Sequence, residues 1–194
     1  MLTKDHHATG PTTAAFSRVL LSSGEVGETA SGTFTVAAPS ADDSNDNTTS
    51  GCAALDSSDQ ATQTKGKAYA SREYTAPSLA LYAEEELAYL PGAAAPLMDA
   101  LASAIKSCHT LTIDGATLAF TVVPTPTVAG SDQTFSALAS GRISGRYVSI
   151  DMQMVRVGDT VLTLTYGGID DPSAVEAVAD RLLVQATAKA KGVL

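Results

Sequence analysis

Tryptophan is absent from the 194 residues, and Phe and Tyr bring the aromatic content to only 5 %. The core must therefore be assembled from Val, Leu, Ile and Ala, with Thr-rich strands around it. Positive charge is scarce as well: 12 Lys and Arg stand against 21 Asp and Glu, a formal net charge of −9. A field of that sign repels phosphate backbones, which excludes nucleic acid as a partner, and it opposes charge-driven binding to anionic bilayers. Apolar runs fall far short of a bilayer span, so no segment reads as transmembrane. The start, Met1-Leu2-Thr3-Lys4-Asp5-His6-His7, lacks the apolar stretch of a signal peptide.

Cysteine is the other rarity. Cys52 follows the acidic loop Asp42-Asp43-Ser44-Asn45-Asp46-Asn47, and Cys108 closes an apolar helical pattern. The pair is either two inert buried thiols or one disulfide. A disulfide is the expectation, and it would place the domain outside the reducing cytosol. It would close about 57 residues and contribute about 4 kcal/mol in the chain-entropy treatment. Export would then depend on a signal upstream of this chain, and membrane attachment on an anchor located there.

What is present reads as one domain. A hydrophobic content of 44 % suffices for a sizeable core. Residues 1–13 read as a flexible tether and residues 14–194 as the folded unit. Phe16, Val19 and Leu20 at i, i+3 and i+4 predict a short helix over residues 14–21, stopped at Ser22-Ser23-Gly24. Residues 32–37 alternate and predict a strand, residues 39–51 a solvated loop, and residues 52–64 a short helix or irregular connection. Two strands are expected over residues 66–74 and 78–83, and Glu84-Glu85-Glu86 is expected to begin a helical run. Leu97, Leu101, Ile105 and Cys108 form one stripe of a helix that puts Cys108 on its buried side. Asp114-Gly115 between alternating runs predicts a hairpin. Strands follow over residues 133–138, 146–157 and 160–166. Asp171-Pro172 then opens a closing helix as N-cap and N1, with the stripe Val175, Val178, Ala179, Leu182, Leu183 and Ala186. About seven strands joined by short turns, with helices laid on one face, define an α+β fold with a twisted, mainly antiparallel sheet and room for a cleft.

Chemistry-bearing constellations fail one by one. Asp43-x-Asn45-x-Asn47 opens like an EF-hand loop, but Thr48 stands where Gly is needed and Ala54 where the bidentate Glu belongs. The Glu84–86 run could be a carboxylate cluster, yet an exposed helix start is the simpler reading. Gly141-Arg142-Ile143-Ser144-Gly145 lacks the spacing of a nucleophile elbow. His109 is the only histidine inside the fold, and beside Cys108 it reads as a cap on the helix's last carbonyls. No metal or cofactor is implied, and an enzyme is not expected. A divergent hydrolase would have to use His109. A protein-partner module of the cell envelope would instead use an exposed edge, residues 33–37 or 133–138.

If a ligand binds, the strand Arg146–Val157 is where it is expected. Tyr147, Ser149, Asp151, Gln153 and Val155 share one side of it, and Val148, Ile150, Met152, Met154 and Arg156 the other. The more apolar set is expected to face the helices. That leaves Tyr147, Asp151, Gln153 and Tyr166 lining a cleft, with Arg142 and Arg146 at its rim. The ligand would be an unidentified small molecule or an envelope component.

Diffuse motifs along the chain point to a family. They are Val19-Leu20-Leu21-Ser22-Ser23-Gly24-Glu25-Val26-Gly27, the Cys ahead of the middle helix, the helix ending at Cys108, the hairpin Val155-Arg156-Val157-Gly158-Asp159-Thr160-Val161-Leu162, and the Ala-rich closing helix. From about residue 14 onward the chain resembles the PknH-type extracellular sensor domain and related actinobacterial lipoproteins. The resemblance implies one α+β domain with a cleft, held outside the cell by a lipid or a transmembrane helix, and sensing or ligand binding without catalysis. Three departures stand out: one possible disulfide where the kinase-linked members carry two, no Trp near the middle helix, and no attached kinase domain.

Overall fold

The computed structural model describes residues 10–41, 52, 66–113, 115–169 and 171–194. The acidic loop and the connection after Cys52 lie outside the described residues, as does most of the expected tether. Thr12 already belongs to the fold, capping the first helix α1 (Thr13–Val19) through its hydroxyl, which accepts from Ala15 N at 3.2 Å.

A second helix follows where a stop was expected. Ser22 is the N-cap of α2 (Ser23–Ala30), and Glu25 completes a capping box with it. The Ser-x-x-Glu spacing satisfies two orphan N–H groups at once and starts a helix. The strand expected over residues 32–37 shrinks to β1 (Thr35–Val36), paired only with the far end of β2 (Ala68–Ala76). β3 (Leu81–Tyr89) pairs with β2 along its full length. Glu84, Glu85 and Glu86 lie in the middle of that strand, so the expected helix start is wrong. Ala83, Glu85 and Leu87 alternate with Glu84 and Glu86, which is a strand's period of two.

The middle helix α3 (Ala94–Ala104) tightens into a 3-10 turn, Ile105–Ser107, and delivers Cys108 to Cys52. The disulfide is formed, with Cα atoms 5.8 Å apart. Five strands then run as one meander: β4 (Thr110–Ile113), β5 (Ala116–Val122), β6 (Gln133–Ile143), β7 (Arg146–Val157) and β8 (Thr160–Gly168). Ser144 and Gly145 both have positive φ, as a tight β6–β7 hairpin requires. The closing helix α4 (Pro172–Ala190) starts at Asp171, whose carboxylate accepts from Ser173 N at 2.8 Å.

The eight strands among the described residues form one antiparallel sheet in the order β1-β2-β3-β8-β7-β6-β5-β4. The α3 connection carries the chain from β3 to the far edge, and the meander returns until β8 closes against β3. The α+β class therefore holds, but the helices occupy both faces of the sheet. One core gathers Phe16, Leu20, Val26, Leu87, Leu164, Leu182 and Leu183 between the sheet and α1, α2 and α4. A second gathers Leu97, Met98, Leu101, Leu118, Phe120 and Phe135 beneath α3, with Cys52 buried in it. Two apolar helical stripes arise at opposite ends of the meander, and each needs a sheet face to cover it.

Candidate functional site

Strand β7 carries most of the residues expected to line a cleft, and the structure turns them the other way. Ser149, Asp151, Gln153 and Val155 are buried, and Val155 packs in the core beneath α4. Ile150, Met152 and Met154 face α3. The reason lies in the neighbouring strand. Leu162, Leu164 and Tyr166 of β8 must meet the α4 stripe, and the register Asp151↔Tyr166 and Gln153↔Leu164 puts the polar set of β7 on that same side. An apolar set that looked inward from sequence finds its cover under a different helix.

The buried polar groups pair with one another. Ser136 Oγ donates to Asp151 Oδ1 at 3.0 Å, and Gln153 Nε2 donates to Asp151 Oδ2 at 3.0 Å and to Asp180 Oδ1 of α4 at 2.7 Å. Burial pushes the Asp151 carboxyl up to about 7 against the pull of Ser136 and Gln153, and the Asp180 and Glu176 carboxylates push the same way. Asp151, Gln153 and Tyr166 are thus brought together as a tie between sheet and helix, not as an open wall. Tyr147, Arg142 and Arg146 lie elsewhere, exposed on the β6–β7 hairpin. Arg142 and Tyr147 are register partners, and the Arg142 guanidinium donates to Gly145 O at 2.8 Å, closing the turn. His109 lies exposed at the head of β4, where its carbonyl accepts from Phe120 N at 2.9 Å. It starts the strand instead of capping the helix.

A second buried cluster was not anticipated. Glu85 is fully buried, and its Oε2 accepts from Leu21 N at 2.7 Å and from the Tyr74 hydroxyl at 3.2 Å. The same Tyr74 proton is shared with Leu21 O at 2.8 Å, while Arg72 donates to Leu21 O at 2.7 Å and Lys189 to Leu20 O at 3.0 Å. These bonds hold the α1–α2 corner, with cationic donors on the two carbonyls just past the end of α1. Burial pushes the Glu85 carboxyl up to about 7 and raises the Tyr74 hydroxyl far above its ordinary value. The signal that could have revealed Glu85 was the alternation Leu81, Ala83, Glu85, Leu87, which places one acid of the triplet on an apolar face.

The other two acids of the triplet face the α3 side. There β2, β3 and β8 present Glu73, Glu84, Glu86, Tyr82, Thr163 and Thr165, none of them fully buried, beside Met152. Tyr69 donates to Glu86 at 2.7 Å and Tyr82 to Glu84 at 2.6 Å. Burial, then the charges of Glu84, Glu73 and Glu86, keep the Tyr82 phenol protonated. The result is a half-open polar floor rich in acceptors. Among the described residues, no three His, Cys, Asp or Glu side chains group as metal ligands would.

No protein-family model matches the chain, and no curated protein matches it in sequence. Among solved structures, it is similar to the extracellular domain of PknH from Mycobacterium tuberculosis, with a TM-score of 0.69 at 15 % identity over 93 % of this chain and 98 % of that one. A putative uncharacterized protein from Mycobacterium smegmatis superposes more loosely, with a TM-score of 0.48 at 13 % identity over 80 % of this chain and 88 % of that one. The fold is that of the PknH extracellular domain, as the motifs implied. Among the described residues, no helix is long and apolar enough to cross a membrane.

Proposed function

We propose that this chain is an extracytoplasmic, sensor-like module that binds a small molecule or an envelope component and performs no chemistry on it. The observation that carries the reading is the Cys52–Cys108 disulfide, a bond that forms and persists in oxidising compartments and is rare in the reducing cytosol. The fold shared with an extracellular domain supports the same compartment. An upstream lipid anchor belongs to this proposal, as does a ligand seated on the polar floor of Tyr82, Glu84, Glu86, Thr163 and Thr165. That floor has acceptors in quantity beside an apolar edge at Met152, a composition suited to holding a ligand. His109 stands exposed at a strand end, away from that floor, so it does not favour a hydrolase.

The test is alkylation of the native protein followed by mass measurement, with and without prior reduction. The expected result is no adduct before reduction and two after it. Two alkylatable thiols in the unreduced protein purified from its own host would sink the reading. Fractionation of that host then separates an anchored protein from a released one.

A further inference from the structure

The α1–α2 corner rests on a carboxyl that water does not reach. Glu85 Oε2 holds the Leu21 amide, while Glu85 Oε1 is buried and has no hydrogen-bond partner. Tyr74 and Arg72 face it from β2, Lys189 from α4, and Glu25 of α2 stands behind Lys189. Both cations are engaged elsewhere. Arg72 gives Nη1 to Leu21 O and leaves Nε buried without a partner, and Lys189 gives Nζ to Leu20 O and to Glu25 at 2.6 Å. Neither forms an ion pair with Glu85. An ionised Glu85 is therefore a buried charge with one bare oxygen, a state that proteins relieve by neutralising the group or by admitting water. Sheet and α4 enclose the cluster on their sides. The remaining side is the corner, Leu20 to Ser22, which joins two short helices.

We propose that the α1–α2 corner is a proton-controlled latch, closed on β2 and β3 while Glu85 carries its proton and loosened when Glu85 ionises. The charge-assisted bond from Leu21 N opposes the loosening, since an amide donates more strongly to a carboxylate than to a neutral acid. Burial outweighs it and pushes the carboxyl up to about 7, so the change falls in the neutral range. The sign follows from linkage: the closed state binds the proton more tightly than the open one, so rising pH favours opening. This inference does not depend on the compartment or on any ligand.

Hydrogen exchange with mass readout on the full chain tests it, following peptides that cover residues 17–27 and correcting for intrinsic exchange. With the carboxyl at about 7 closed and near 4.5 open, protection at Leu21 should fall roughly thirtyfold between pH 5.5 and 8.5. Glu85→Gln keeps the shape and an acceptor for Leu21 N, and should hold protection constant across that range. Tyr74→Phe, which keeps the carboxyl and removes one donor to it, should move the midpoint upward. Asp151→Asn should leave the corner's response unchanged. Equal wild-type protection at both pH values would overturn the proposal, as would a response that survives Glu85→Gln or disappears in Asp151→Asn. Should Glu85→Gln fail to fold, an unmoved midpoint in Tyr74→Phe does the same.

Discussion

Gln153 of β7 donates through one amide nitrogen to both Asp151 and Asp180, at 3.0 and 2.7 Å, so a neutral side chain sits between two carboxyls and binds the sheet to α4. Its own Oε1 is buried without a partner. Gln153→Leu should therefore destabilise the domain by about 1–3 kcal/mol through the lost bonds and the unscreened carboxyls. The loss should be larger at pH 8, where Asp151 is more often ionised, than at pH 5.5. Urea unfolding at the two pH values measures both quantities, and an equal loss at both would show that the amide does not separate charges.

Stability should vary with pH in a direction opposite to that of a protein held by salt bridges. Glu85 and Asp151 titrate near 7 in the folded state, against ordinary values of 4.5 and 3.8. Folding takes up protons between those limits, so stability falls as pH climbs through 5 to 7 and levels off above. On the acid side, Glu25 works the other way. Burial raises it, but the Lys189 ammonium and the Ser22 donors more than offset that and hold it below its ordinary value. Its contribution is present above the ordinary value of 4.5 and is lost as pH falls below it. Thermal unfolding from pH 4 to 9 should show its maximum near pH 5, and Asp151→Asn should raise the midpoint at pH 8 with little change at pH 5. A wild-type maximum at pH 8 would contradict this account.

Reducing the Cys52–Cys108 bridge, or replacing both cysteines by serine, should cost about 2–4 kcal/mol and lower Tm by roughly 10 °C. Calorimetry with and without reductant gives the number. No change in Tm would mean that the loop it closes is already ordered by other contacts.

Gly168 lies where β8 passes close to the β2–β3 turn. An added Cβ would stand 2.7 Å from Ala80 O and 2.5 Å from Leu81 Cδ2. Backbone cannot yield as a side-chain tip can, so Gly168→Ala should destabilise by about 1–3 kcal/mol. Arg142→Ala, on the exposed hairpin, should stay within about 0.5 kcal/mol of wild type by the same denaturation assay.

Local signals survived into the structure wherever they were written in backbone chemistry. The strand Arg146–Val157 begins and ends as its alternation indicates, and Asp171-Pro172 opens the last helix as cap and first residue. Ser22-Ser23-Gly24-Glu25 was equally local, but its serines and glycine read as a stop although the Glu three positions on makes them a start. Glu84 to Glu86 misled for another reason. Consecutive acids suit a helix N-terminus in isolation, and only the fold brings Leu21 N and the Tyr74 hydroxyl to Glu85, the donors that let it be buried in a strand.

The sequence by itself determined the α+β class, the meander from β4 to β8, the partners Cys52 and Cys108, and the division of β7 into two sets of side chains. Those features depend on spacing, turn chemistry and composition, which act over a few residues. Tertiary structure alone decided which set of β7 went under which helix, because a strand's alternation is symmetric and says only that two residues share a side. The choice fell to the register with β8, which commits Asp151 and Gln153 to α4, and to α3, which covers Met154 on the reverse face. Burial of Glu85 was decided in the same way, by contacts from Leu21 and Tyr74 that are distant in sequence and adjacent only in the fold.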